Sequence, residues 1–133
     1  MNRRTLLAAS LFAPFAAMLG STAADAATQA PFDSQAFAAA QAAGKPILVA
    51  VHASWCPTCA RQRPIIAALA NAPENKDLMI FVVDFDSQKD VVKAFGVRMQ
   101  STLIAFHGRT ERDRSTGETE ASAINALVAK TRA

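Results

Sequence analysis

The sequence predicts an α/β domain: a central mixed sheet of four strands, or five, with helices on both faces. Three observations predict it. Apolar runs rich in β-branched residues stand at Ile47 to His52, Leu78 to Val83 and Thr102 to Phe106, as in strands buried on both faces. Segments of helical spacing or high alanine content separate these runs. After the third run, His107-Gly108-Arg109 reads as a hairpin turn into a second strand. Right-handed crossovers make the first strands parallel, and the hairpin adds antiparallel neighbours.

The chain opens on a basic tetrad, Met1-Asn2-Arg3-Arg4, then an apolar run from Leu6 to Leu19 broken by Pro14, then Ala24-Asp25-Ala26. Basic start, apolar middle and A-x-A end are the three parts of a secretory signal peptide, expected over residues 1–26 with the domain over 27–133. The apolar run falls short of the roughly 20 residues that cross a bilayer. Arg3-Arg4 raises the twin-arginine route beside the Sec route. The expected location is the periplasm or the exterior. Without Arg3, Arg4 and Asp25, twelve basic residues face ten acidic ones, a mild balance that gives nucleic-acid binding no support. The mature chain is expected to be a monomer with a modest core.

Ala27 to Pro31 reads as a frayed arm. Asp33 or Ser34 caps a first helix, Gln35 to Ala43, which Gly44 and Pro46 stop. The strand Ile47 to His52 follows, and Ala53-Ser54-Trp55 turns the chain into Cys56-Pro57-Thr58-Cys59. Pro57 suits the first turn of a helix, and Ile65, Ile66 and Leu69 carry that helix to about Asn71, with Pro64 expected to kink it. A polar loop, Ala72 to Lys76, precedes the second strand. Asp86 or Ser87 is expected to cap a short helix through Val91, Val92 and Phe95, ended by Gly96. Val97 to Gln100 links to the third strand. The charges of Thr110 to Thr116 mark an edge strand protected from edge-to-edge pairing. A last helix, Thr119 to Thr131, offers Ile124, Leu127 and Val128 as its buried stripe.

Cys56 and Cys59 are the only cysteines. A disulfide between them would close a tiny loop and remove little entropy from the unfolded chain, so stapling is a poor reason for this spacing. Redox work is a better one. The C-terminal end of a strand is also where open α/β sheets place their sites.

Laid out this way, residues 27–133 resemble the thioredoxin-fold family along nearly their whole length. The resemblance rests on Ile47 to His52, Trp55-Cys56-Pro57-Thr58-Cys59, Pro64, Asp86, Gly96-Val97-Arg98 and the final hairpin and helix. It implies a thiol–disulfide oxidoreductase with Cys56 as attacking thiolate and Cys59 as resolving thiol. The helix N-terminus at Cys56 favours an anion, with the Cys59 backbone and the Thr58 hydroxyl as donors. Cys59 is expected one turn in and more buried. Trp55 is expected to flank the site against substrate. Asp86 is read as a cap or packing contact, and Arg61 and Arg63 as a solvated helix face.

Three departures from the family, at four positions, concern the site. Ser101 stands where a cis-proline normally faces the cysteines; the Gln100–Ser101 peptide is expected to be trans or strained, since a cis bond there costs about 2.5–4 kcal/mol. Backbone pairing of a substrate strand at Ser101 could survive, its Oγ could reach Cys56, and loss of the ring could open the sulfurs. Ala50 and Val82 replace the family's buried aspartate and its lysine, so the usual base for Cys59 is missing. His52 replaces an aromatic on the face of Ala50, where it could accept a proton or, as a cation, favour the Cys56 thiolate.

The function expected is disulfide exchange with other proteins, in the reductase direction, with no cofactor beyond the dithiol and no metal. The spacing from Cys59 to Ser101 leaves no room for the helical insertion of the disulfide-forming oxidases. A membrane electron donor could recharge the pair. The site is also similar to that of cytochrome c maturation thioredoxins, whose extra insertion is missing here. The alternative is a metal or iron–sulfur protein using the same cysteines. Zinc normally wants four protein ligands, and the chain offers only Cys56, Cys59, His52 and His107, the last in a turn expected to lie far from the pair.

Overall fold

The computed structural model describes residues 26–133, so the segment read as a signal peptide lies outside the described residues but for Ala26. Five strands form one sheet in the order β1-β3-β2-β4-β5. They are β1 (Thr28–Pro31), β2 (Pro46–His52), β3 (Met79–Asp84), β4 (Thr102–His107) and β5 (Thr110–Thr116). Among the described residues four α-helices accompany them: α1 (Ser34–Ala42), α2 (Pro57–Ala70), α3 (Lys89–Ala94) and α4 (Ala121–Ala129). β1 and β2 flank β3 in parallel, whereas β2–β4 and β4–β5 are antiparallel. The expected α/β mixed sheet is present, with five strands rather than four.

The central strand β2 is apolar on both faces, and each face feeds a separate core. Leu48 and Ala50 pack with Ile80, Leu103 and Ala105 under Ile66 and Leu69 of α2 and Ile124, Leu127 and Val128 of α4. Ile47, Val49 and Val51 face the other way, with Phe81, Val83, Ile104 and Phe106. Phe37 of α1 lies at the centre of an aromatic cluster on that face, 5.5 Å from Phe95 and from Phe106 and 5.7 Å from Phe81, all near edge-to-face. Such pairs add about 0.5–1.5 kcal/mol each beyond their burial.

The fifth strand is where the sequence reading needs correction. Ala27 to Pro31 is no frayed arm: Thr28 to Pro31 pair in register with Met79 to Val82. The Thr28 N–H donates to the Leu78 carbonyl at 3.0 Å, and the Phe32 N–H to the Val82 carbonyl at 2.8 Å. Backbone pairing needs no apolar alternation, so an exposed edge strand leaves little mark on composition. Pro31 is tolerated because an edge strand has one side free of ladder bonds.

Helix ends are set by local donors and acceptors. Asp33 caps α1, its Oδ1 accepting the Ala36 N–H at 2.8 Å. Neither Asp86 nor Ser87 caps α3. Gln88 is its N-cap and makes no side-chain cap bond, while Asp84 Oδ1 takes the N–H groups of Asp86 and Ser87 at 2.9 Å. Asp84 therefore ties the loop at the end of β3. α2 stays helical through Pro64. Gly108 opens the two-residue turn between β4 and β5 at φ 56°, and a Cβ there would meet Gly44 Cα at 3.2 Å and the Gln41 carbonyl at 3.3 Å. Only glycine meets both demands. The charged strand β5 is an edge, as its composition requires.

Candidate active site

β2 ends at His52, and the turn Ala53-Ser54-Trp55 delivers Cys56 to the N-cap of α2, with Pro57 in its first turn. The Cys59 N–H donates to Cys56 Sγ at 3.1 Å. An unpaired N–H of the helix's first turn thus points at the first sulfur, where it favours a negative charge. The Thr58 hydroxyl makes no such bond among the described residues. Both thiols are free.

The two sulfurs are buried alike. Cys56 is 3% exposed and Cys59 2%, with Ala53 and Phe85 packed around them. The expected contrast in burial is absent, and loss of a proline ring has not opened the pair. Burial pushes the Cys59 thiol above its ordinary value of 9.0, and the Cys56 side chain adds to the rise. Backbone hydrogen bonds of Ala53 and Ser101 act against it. The second thiol is held protonated until something takes its proton.

Ser101 sits against Cys59 in an unusual backbone state. Its φ is 63°, the one positive φ of a non-glycine residue among those described, and no peptide bond there is cis. The Gln100–Ser101 bond is trans, as expected. Every backbone group of Ser101 is engaged within the chain. Its N–H donates to the Val51 carbonyl at 2.8 Å, and its carbonyl accepts from the Gly117 N–H at 3.1 Å and from Gln62 Nε2 at 3.1 Å. The idea that Ser101 could pair with a substrate strand fails for that reason. Its Oγ turns to the Gln100 carbonyl and not to Cys56.

Gln62 was not legible as a site residue. It is buried on α2 and donates to Glu118 O at 2.9 Å as well as to Ser101 O. The signal for it is its place in the stripe Cys59, Gln62, Ile66, Leu69, an inward face with one polar member.

A cavity of about 190 Å³ lies behind Cys59, between α2 and the sheet. Ala50, Cys59, Ile66 and Ile80 form its inner wall, and His52, Gln62, Arg63 and Gln29 contribute its polar groups. The shared face of Ala50 and His52 is as expected. Asp84 stands beside His52 in the β2–β3 register. Hydrogen bonds from Ser87, first its backbone and then its side chain, together with the Asp86 N–H and the charge of His52, hold the Asp84 carboxyl below its usual 3.8.

Trp55 is 58% exposed and Met99 55%, the two large apolar side chains that remain in solvent among the described residues. Trp55 Nε1 donates to Asp86 Oδ2 at 2.8 Å, which fixes the indole at the rim beside Cys56. Asp86 is thus the hydrogen-bond acceptor of Trp55 rather than a helix cap. Arg61 and Arg63 are exposed. His107 is at the far end of β4, its Nδ1 paired with the Thr131 carbonyl at 2.8 Å. Among the described residues no group of three His, Cys, Asp or Glu could hold a metal.

The family model for thioredoxin matches residues 26–130. A crystal structure of Trxlp from Edwardsiella tarda is 44% identical, with a TM-score of 0.73 over 75% of this chain and 98% of that one. Thioredoxin of Chlamydia muridarum is 33% identical over 63% of this chain and 80% of its own. Protein disulfide-isomerase erp38 of Neurospora crassa is 38% identical over 66% of this chain, which spans only 25% of the isomerase. The chain belongs to the thioredoxin family, and its Cys56–Cys59 dithiol makes it a thiol–disulfide oxidoreductase.

Proposed function

We propose that this is an exported oxidoreductase that reduces disulfides of other proteins in the periplasm through Cys56 and Cys59. The observation that carries the catalytic assignment is the Cys59 N–H directed at Cys56 Sγ from the first turn of α2. The Cys56 thiolate attacks a substrate disulfide, forms a mixed disulfide and expels one substrate thiolate. Cys59, once deprotonated, attacks Cys56 Sγ, closes the Cys56–Cys59 disulfide and releases the second substrate thiol. Two electrons pass from the dithiol to the substrate.

Export is supported by the basic, apolar and A-x-A pattern of residues 1–26. The reductase direction is supported by the connection between α2 and β4, which holds only a 3₁₀ turn, β3 and the short α3. An oxidised pair in that location needs a renewed supply of electrons, and a membrane electron donor fits that need. The exposed indole of Trp55, next to Cys56 in the chain, supplies an apolar contact for a protein substrate.

The test is insulin reduction with dithiothreitol as electron source. Wild type accelerates it, Cys56→Ser abolishes the acceleration, and Cys59→Ser accumulates a mixed disulfide with the substrate. Acceleration that survives Cys56→Ser contradicts the assignment.

A further inference from the structure

Cys59 cannot resolve a mixed disulfide until its proton leaves, and among the described residues the cavity wall beside it provides no carboxylate for that purpose. Ala50 and Val82 line the cavity behind it with aliphatic groups. Three titratable side chains reach the cavity: Cys59, His52 and Arg63. A guanidinium stays protonated at any physiological pH, so it cannot accept. Imidazole can, near neutrality. The cavity of about 190 Å³ has room for several waters at roughly 30 Å³ each. Gln29 and Arg63 are exposed and His52 is half-buried, so the space communicates with solvent.

We propose that His52 accepts the Cys59 proton through this cavity, making it the proton acceptor of the resolving step. This rests on the thiol-exchange reading above. The Cys59 S–H bond breaks, its proton passes along water to an imidazole nitrogen of His52, and the sulfur keeps the electron pair. The Cys59 thiolate forms a bond to Cys56 Sγ as the Cys56–substrate S–S bond breaks. The proton on His52 then leaves to the departing thiolate or to solvent. The charged groups placed beside His52 are Asp84 on β3, in register with it, and Arg63 on α2, which lines the same cavity. Gln29 on β1 is neutral.

The experiment follows release of an aromatic thiol from its mixed disulfide with Cys56, by stopped flow in the full mature protein. Wild-type release should already be fast at neutral pH, below the range in which the thiol itself ionises. His52→Gln should release about tenfold or more slowly at neutral pH and accelerate only in the range of the thiol itself. Added imidazole should restore His52→Ala. Asp84→Asn, which keeps an oxygen for the Asp86 and Ser87 N–H groups but removes the charge beside His52, should change the pH profile of release. A His52→Gln profile that matches wild type, or one slowed equally at every pH without imidazole rescue, overturns the proposal. If His52 variants do not fold, a pH profile of release unchanged in Asp84→Asn overturns it. Absence of release from wild type itself sinks the thiol-exchange reading, a result distinct from any of these.

Discussion

Gln62 on the active-site helix donates its side-chain amide to the carbonyl of Ser101 at 3.1 Å, and the same nitrogen donates to Glu118 at 2.9 Å. One buried amide thereby joins α2 to the segment before β4 and to the segment before α4. Two carbonyl acceptors fix which end of the amide carries the N–H groups, and they also set the order of two substitutions. Gln62→Leu removes both bonds but leaves Ser101 O with its Gly117 donor, so a loss of about 1–3 kcal/mol is expected. Gln62→Glu should be worse, because a carboxylate would face two carbonyl oxygens in a buried site. Urea unfolding of the reduced proteins gives both values.

Ser101 carries a second prediction. Its φ of 63° is strained for a residue with a Cβ, by about 1–2 kcal/mol. Ser101→Gly relieves that strain at the loss of the bond to Gln100 and should leave stability unchanged or slightly raised. Ser101→Pro restores the family residue, yet it forces φ to about −65° and removes the N–H donated to Val51. Thermal unfolding should rank glycine above serine and serine above proline.

Much of this arrangement is legible in the sequence, and the reasons are physical. The apolar runs at β2, β3 and β4 are buried on both faces, so composition alone marks them. Cys56 at a helix start follows from Pro57 and the spacing to Cys59. β1 is illegible because an edge strand is held by backbone bonds to β3 and asks little of its side chains. The α3 cap is misread because the carboxylate that organises that loop, Asp84, lies two residues before Asp86 and ties a turn rather than the helix. Gln62 and the closed hydrogen bonding of Ser101 depend on partners 39 and 16 or more residues away, which no local pattern contains.

The Cys59 thiol gives stability a pH dependence of fixed sign. Its folded value lies above the ordinary 9.0, so in that range the folded state holds more protons than the unfolded chain. The contribution is fully present below the unfolded value and is lost as pH rises through the folded one. Denaturant midpoints of the reduced protein should therefore fall above about pH 9, and Cys59→Ser should flatten that fall. The oxidised protein, which has no thiol to titrate, should not show it.

Asp84 acts in the opposite sense. Its folded value lies below the usual 3.8, so its contribution is present above that value and lost as pH falls through the folded one. Asp84→Ala should reduce the acid sensitivity of unfolding and loosen the Asp86-Ser87 turn, seen as faster amide exchange at those two positions.

The dithiol itself is tested most directly by a redox titration. Purified protein, equilibrated over a range of dithiothreitol ratios and then alkylated, is weighed intact by mass spectrometry. One reversible two-electron transition is predicted, from two alkylated cysteines to none, and it should vanish in Cys56→Ser and in Cys59→Ser. Both cysteines remaining alkylatable at every ratio, or a transition that persists in either variant, would contradict the Cys56–Cys59 couple as the working centre of this protein.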